Sequence, residues 1–223
     1  MIWTVPNILT VLRLLAAPGV AVMFLYFSRP WADWFALLLF GGAAITDWFD
    51  GYLARAWKQE SKMGAMLDPI ADKAMVVIAL AVIMGFSGMT AWILLPATAI
   101  LFREVFVSGL REYLGDTAGV LKVTRLAKWK TTVQMIAIAV LFAQGVFEHS
   151  LSLRAAALPD AEIRAILAGD TPDPVGLRLA WGGMYAASYG GIVLLWAAAS
   201  LTLVTGWDYM RKALPYLRET PGR

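Results

Sequence analysis

Apolar and polar stretches alternate along the chain, with apolar runs at 8–26, 34–45, 74–86, 89–102, 131–147 and 179–207. The hydrocarbon core of a bilayer is roughly 30 Å thick and takes about 20 helical residues to cross. Each run therefore predicts a helix, and the second, third and fourth are too short to span alone. All three continue into polar sequence. The second runs into Asp47, Asp50 and Arg55, the third is preceded by Asp68, Asp72 and Lys73, and the fourth extends through Arg103, Glu104, Arg111 and Glu112. Charged groups at such depth are costly unless they face a partner or a watery cavity. The three polar ends thus predict one shared cavity, and connectivity places them on one side of the membrane.

Composition strengthens this picture. Of 223 residues, 60% are hydrophobic and only 16% charged, with a mean hydropathy of +0.65, far from the usual soluble domain. The expected fold is an all-α integral membrane domain of six transmembrane helices covering 1–223, without repeats or a second domain. The first run lacks a basic leader and a small-residue cleavage site, so no removable signal peptide is expected. Absence of cysteine excludes disulfides and thiolate chemistry, and the single histidine, His149, has no partner for a histidine metal cage or a catalytic triad. Catalysis, if present, rests on carboxylates.

Charge orients the chain. Segments 47–73, 103–130 and 208–223 hold fourteen of the nineteen Lys and Arg residues, whereas the opposite loops hold Arg29, Arg154, Arg164 and Arg178, and Arg13 lies within the first run. By the positive-inside rule both termini and the cavity face the cytoplasm. Trp3, Tyr26, Trp31, Trp34, Trp129, Trp181 and Tyr216 fall near predicted helix ends, as interfacial aromatic belts do. The long outer loop, 148–178, contains LPDAEIRAILAG, which predicts a short helix beginning at Asp160 and stopped by Gly169.

The candidate chemistry lies between 47 and 73. Asp47 and Asp50 are three residues apart and Asp68 and Asp72 four apart, so each pair shares a helical face. Four converging carboxylates would repel and take up protons unless a divalent cation compensated them. Oxygen ligands favour magnesium or manganese over zinc or copper, and magnesium commonly sits between carboxylates and a substrate phosphate. Gly51, Ala54 and Gly64 have almost no side-chain volume, which lets a bulky group such as a nucleotide approach the backbone. The alternative is a cation pathway, since small residues also pack membrane helices and intramembrane acids also line ion routes.

Taken whole, the stretch reads D-x2-D-G-x2-A-R-x8-G-x3-D-x3-D, and at Asp47, Asp50, Gly51, Ala54, Arg55, Gly64, Asp68 and Asp72 it resembles the signature of the CDP-alcohol phosphatidyltransferases. The resemblance implies six transmembrane helices, two divalent metals (Mg2+ or Mn2+) per site, and transfer of a phosphatidyl group from a CDP-linked lipid to an alcohol with release of CMP. VPNILTVLRLLAAP, TDWFDGYLAR, GAMLDPIADK, REVFVSGLRE and KWKTTVQM are similar to the bacterial branch of the family whose acceptor is glycerol 3-phosphate, over roughly 4–147 and again near 200–217. That branch implies CDP-diacylglycerol as donor and phosphatidylglycerophosphate as product. Serine and inositol phosphate remain alternative acceptors. Ala127, where the branch places glycine, and the loop 148–178 depart from it.

The resemblance also implies roles. Asp47 and Asp68 would bridge two metals, Asp50 completing one and Asp72 the other, with Asp72 also taking the proton of the attacking hydroxyl. Thr10, Arg13, Gly51, Ala54, Arg55, Ser61 and Gly64 would surround the CDP-diacylglycerol head group, a structural ion pair being the alternative for Arg13. Arg111, Lys122, Arg125, Lys128 and Lys130 cluster on the cytoplasmic side and could clamp the acceptor phosphate, the alternative being orientation toward anionic lipid. Acyl chains should enter sideways from the bilayer, because moving them through water would forfeit about 0.8 kcal/mol per methylene. Expected partners are membrane lipids and a second copy of the chain in a homodimer, with Gly182, Gly183, Gly190 and Gly191 allowing close packing. No nucleic acid partner is expected, and the expected location is the bacterial inner membrane.

Overall fold

A computed structural model describes residues 4–43, 62–115 and 125–217, and all regular structure among them is helical. The helices are α1 (Val5–Tyr26), α2 (Trp31–Ala43), α3 (Lys62–Phe86), α4 (Ala91–Leu114), α5 (Arg125–Ala155), α6 (Asp160–Ala168) and α7 (Leu177–Leu217). Helices α1, α3, α4, α5 and α7 are each long and apolar enough to cross a membrane, and α2 is a shorter apolar helix. The chain is therefore a multi-pass, all-α membrane protein.

Local signals set the helix ends. Thr4 caps α1 by accepting from the Asn7 backbone N–H, satisfying one of the orphan donors of the first turn. Gly115 (φ +52°) ends α4 and Gly169 (φ +94°) ends α6, both in a backbone region where a Cβ is strained. The expected outer helix thus begins at Asp160 and stops at Gly169. Arg178 closes that loop by donating to the carbonyls of Ile166 and Thr171, both at 2.6 Å. Asp173 caps α7 by accepting from the N–H groups of Leu177 and Arg178 at 2.8 and 2.9 Å.

Three boundaries differ from the hydropathy pattern. Helix α4 begins at Ala91, because residues 87–89 turn the chain and Met89 takes a positive φ of 56°. Helix α5 continues to Ala155, eight residues into the expected outer loop, with Arg154 donating to Ser150 one turn back at 3.0 Å. Helix α7 spans 41 residues, about 60 Å at 1.5 Å per residue, twice the hydrocarbon thickness. Apolar runs report burial in lipid, whereas backbone hydrogen bonds carry a helix onward into water.

One apolar core joins α1, α2, α3, α4, α5 and α7, although the helices meet unequally. Helix α1 lies along α3, α5 lies along α7, and α4 also lies along α7, while α3 meets α4 and α5 far more sparsely. Gly183 and Gly191 on α7 let α5 approach, since a Cβ at Gly191 would stand 2.7 Å from Leu141 Cδ2 and one at Gly183 would stand 2.5 Å from the Phe147 ring. Their small size therefore serves a contact within the chain, whereas Gly182 and Gly190 meet nothing within 4 Å. Phe24, Phe40 and Phe142 interlock with ring centroids 5.4 to 5.9 Å apart. Arg29 clamps fully buried Asp33 through two hydrogen bonds of 2.7 and 2.8 Å, and the pair rests against Gly145 of α5, where any side chain would displace it. Leu12, Leu15, Leu25, Leu38 and Val105 are exposed, as apolar side chains on a lipid-facing surface would be.

Candidate active site

At the end of the bundle holding the N-terminus of α1, Asn7, Thr10 and Arg13 recur every three residues and are buried. They continue the helix face that carries Ala17, Val20 and Phe24 into the core, so the same packing that seats α1 on α3 brings polar groups to Asp68 and Asp72. Thr10 Oγ1 donates to Asp68 Oδ1 at 2.6 Å. Arg13 Nη1 lies 3.4 Å from Asp72 Oδ1, and Nη2 lies 3.7 Å from Asp68 Oδ1. Both aspartate side chains remain half exposed, at 51% and 50%. Helix α1 thus fixes each carboxylate through one oxygen and leaves much of its surface accessible, as groups that orient metal-binding carboxylates do. Arg13 lies within ion-pair range of both acids.

A second polar group adjoins the first. Helices α3, α4 and α5 line an open cavity of about 270 Å³ that is bordered by Asp72, Lys73, Arg103, Glu104, Arg111 and Lys130. Glu104 is buried and accepts from both Lys130 and, at 3.2 Å, Arg103. Lys73 Nζ donates to Ser108 Oγ at 2.5 Å, and that hydroxyl donates to the Glu104 carbonyl at 2.6 Å. Helix α7 supports the basic side: the Arg111 guanidinium lies 5.7 Å from the Tyr209 ring centroid, and Gly206 leaves room for Arg103, whose Cγ would be 3.0 Å from an added Cβ. Four cationic side chains against two carboxylates leave an excess of two positive charges. Such a cavity suits a dianion, and Asp72 belongs to both polar groups.

Of the residues expected at the site, Thr10, Arg13, Asp68 and Asp72 come together, and Gly64 lies in the first turn of α3, four residues before Asp68. Asp47, Asp50, Gly51, Ala54, Arg55, Ser61 and Lys122 lie outside the described residues. Arg111 and Lys130 reach the cavity. Arg125 and Lys128 stand in the first turn of α5, and their side chains are outside the description. With two signature acids outside it, no group of three metal-binding side chains occurs among the described residues. Lys73, Arg103 and Glu104, polar ends expected to share a cavity, line it as well, and Gln134 joins them without having been foreseen. Helical spacing was the available signal: Gln134 follows Lys130 by four, and Arg111 follows Glu104 by seven.

Residues 3–166 match the CDP-alcohol phosphatidyltransferase family. A Cereibacter sphaeroides protein named CDP-diacylglycerol--glycerol-3-phosphate 3-phosphatidyltransferase is 64% identical over 98% of this chain and 99% of its own length. Proteins of the same name from Salmonella choleraesuis and Escherichia coli (strain K12) are 41% and 39% identical, each over 62% of this chain and 76% of its own length.

Proposed function

The chain belongs to the CDP-alcohol phosphatidyltransferase family, and from that premise we propose that it moves the phosphatidyl group of CDP-diacylglycerol onto sn-glycerol 3-phosphate, yielding phosphatidylglycerophosphate and CMP. The relative that matches nearly end to end carries that activity in its name. The observation that favours this acceptor is the cavity beside Asp72, whose excess of two positive charges matches a phosphate monoester.

The acceptor phosphate binds Arg111, Lys73 and the Arg103 and Lys130 edges of the cavity, placing a hydroxyl at Asp72. Asp72 takes the hydroxyl proton as the acceptor oxygen bonds to the phosphatidyl phosphorus and the bond to CMP breaks. No covalent enzyme intermediate is needed. Asp47, Asp50, Asp68 and Asp72 would hold two magnesium or manganese ions. The described pair fits that task, being hard oxygen donors, half open and fixed by Thr10 and Arg13. When bound, the ions neutralise the donor diphosphate and ease departure of CMP. Thr10, Arg13, Gly51, Ala54, Arg55, Ser61 and Gly64 accommodate the donor head group, while its acyl chains stay in the bilayer. The site faces the cytoplasm of a bacterial inner membrane, as the distribution of Lys and Arg supports. Gly182 and Gly190, open on the surface of α7, suit contact with a second copy in a homodimer.

The test is CMP release from CDP-diacylglycerol by purified protein, with magnesium present or chelated, and with glycerol 3-phosphate, serine or inositol phosphate supplied. Release is expected only with metal and glycerol 3-phosphate. Release with serine alone would reassign the acceptor, and cation flux in liposomes without CMP release would overturn the enzyme reading. Asp72→Asn should lower turnover by about 10²-fold or more. Arg111→Ala should raise the glycerol 3-phosphate KM roughly tenfold or more, with the donor KM unchanged.

A further inference from the structure

Gln134 stands one helical turn beyond Lys130 on α5 and lines the inner part of the same cavity. It is only 2% exposed, and its Oε1 has no hydrogen-bond donor among the described residues. Beyond it on α5, Ala137, Ile138 and Leu141 are buried and apolar, so Gln134 is the last polar group of the helix before the core. A buried carbonyl oxygen without a donor is costly, and folded proteins leave few of them.

The missing donor has a definable chemistry. The cations of the cavity only donate, and they suit the oxygens of a phosphate. Glu104 already accepts from Lys130 and Arg103. Gln134 Oε1 is therefore a neutral acceptor set deep in a basic chamber. An ionised phosphate cannot satisfy it, whereas a hydroxyl on the ligand's carbon skeleton can.

On the reading that glycerol 3-phosphate is the acceptor, we propose that Gln134 receives the hydrogen bond of the hydroxyl that does not react, while the reacting hydroxyl lies at Asp72. Gln134 is then a specificity-determining residue. It selects alkyl phosphates that carry a second hydroxyl next to the nucleophilic one, and the basic groups alone would not distinguish these from simpler hydroxyalkyl phosphates.

The experiment compares glycerol 3-phosphate with 3-hydroxypropyl phosphate, which keeps the primary hydroxyl and the phosphate and lacks the hydroxyl between them. CMP release is measured with wild type and with Gln134→Met, a variant of similar length without the acceptor oxygen. Wild type is expected to prefer glycerol 3-phosphate by roughly 10- to 100-fold in kcat/KM, the effect of leaving a buried acceptor unpaired. In Gln134→Met the preference should fall to about threefold or less, with the CDP-diacylglycerol KM unchanged. A purely structural role for Gln134 gives the reverse, a lower thermal midpoint with the preference intact. Equal use of both acceptors by wild type, which needs no variant, or an unchanged preference in Gln134→Met, would overturn the role of Gln134 and leave phosphatidyl transfer standing. Absence of CMP release by wild type with glycerol 3-phosphate would overturn both.

Discussion

Glu104 is the residue on which the basic cavity balances. It lies inside α4, buried, and holds Lys130 and Arg103 together. Taking charges out of water is expensive, and removing one member of such a group leaves the others without compensation. Glu104→Gln keeps the side-chain shape and removes the charge, so it should lower stability by about 3 kcal/mol or more, read as a lower thermal midpoint in detergent. An unchanged midpoint would mean that solvent, not Glu104, compensates these cations. Sequence reading reached this scale unevenly. Asp68 and Asp72 could be paired because their partnership is a spacing within one helix. Glu104 and Lys130 are 26 residues apart on different helices, and their meeting depends on a crossing that no local pattern specifies. Arg13 illustrates the same limit: its depth in an apolar run announced a partner, but only the packing of α1 on α3 identified Asp72 as that partner.

Among the elements, the pairing of α5 with α7 depends on glycines that look interchangeable in sequence. Gly190 and Gly191 are neighbours, yet only Gly191 lies beneath a side chain of α5. Gly191→Leu should force the two helices apart and cost about 1–3 kcal/mol, whereas Gly190→Leu should leave the thermal midpoint near wild type. Equal effects at the two positions would contradict the face assignment. Helix existence was legible from apolar runs, and the stop of α6 from Gly169, because lipid burial and positive φ both leave marks in residue type. The continuation of α5 to Ala155 left no such mark, since its last turns lie among Ser150, Ser152 and Arg154, where hydropathy cannot distinguish a helix from a loop.

For the molecule as a whole, the distribution of basic residues predicts which end faces the cytoplasm, and the absence of cysteine makes the native chain its own labelling background. A membrane-impermeant maleimide added to spheroplasts should label Leu153→Cys and should reach Leu126→Cys only after the membrane is opened. The opposite result would invert the orientation. The carboxylates held by α1 stand on α3, while Arg103, Arg111, Lys130 and Gln134 stand on α4 and α5, and one continuous apolar core joins all of these helices. A change in the accepted alcohol should therefore map to substitutions on α4 and α5, with Asp68 and Asp72 retained.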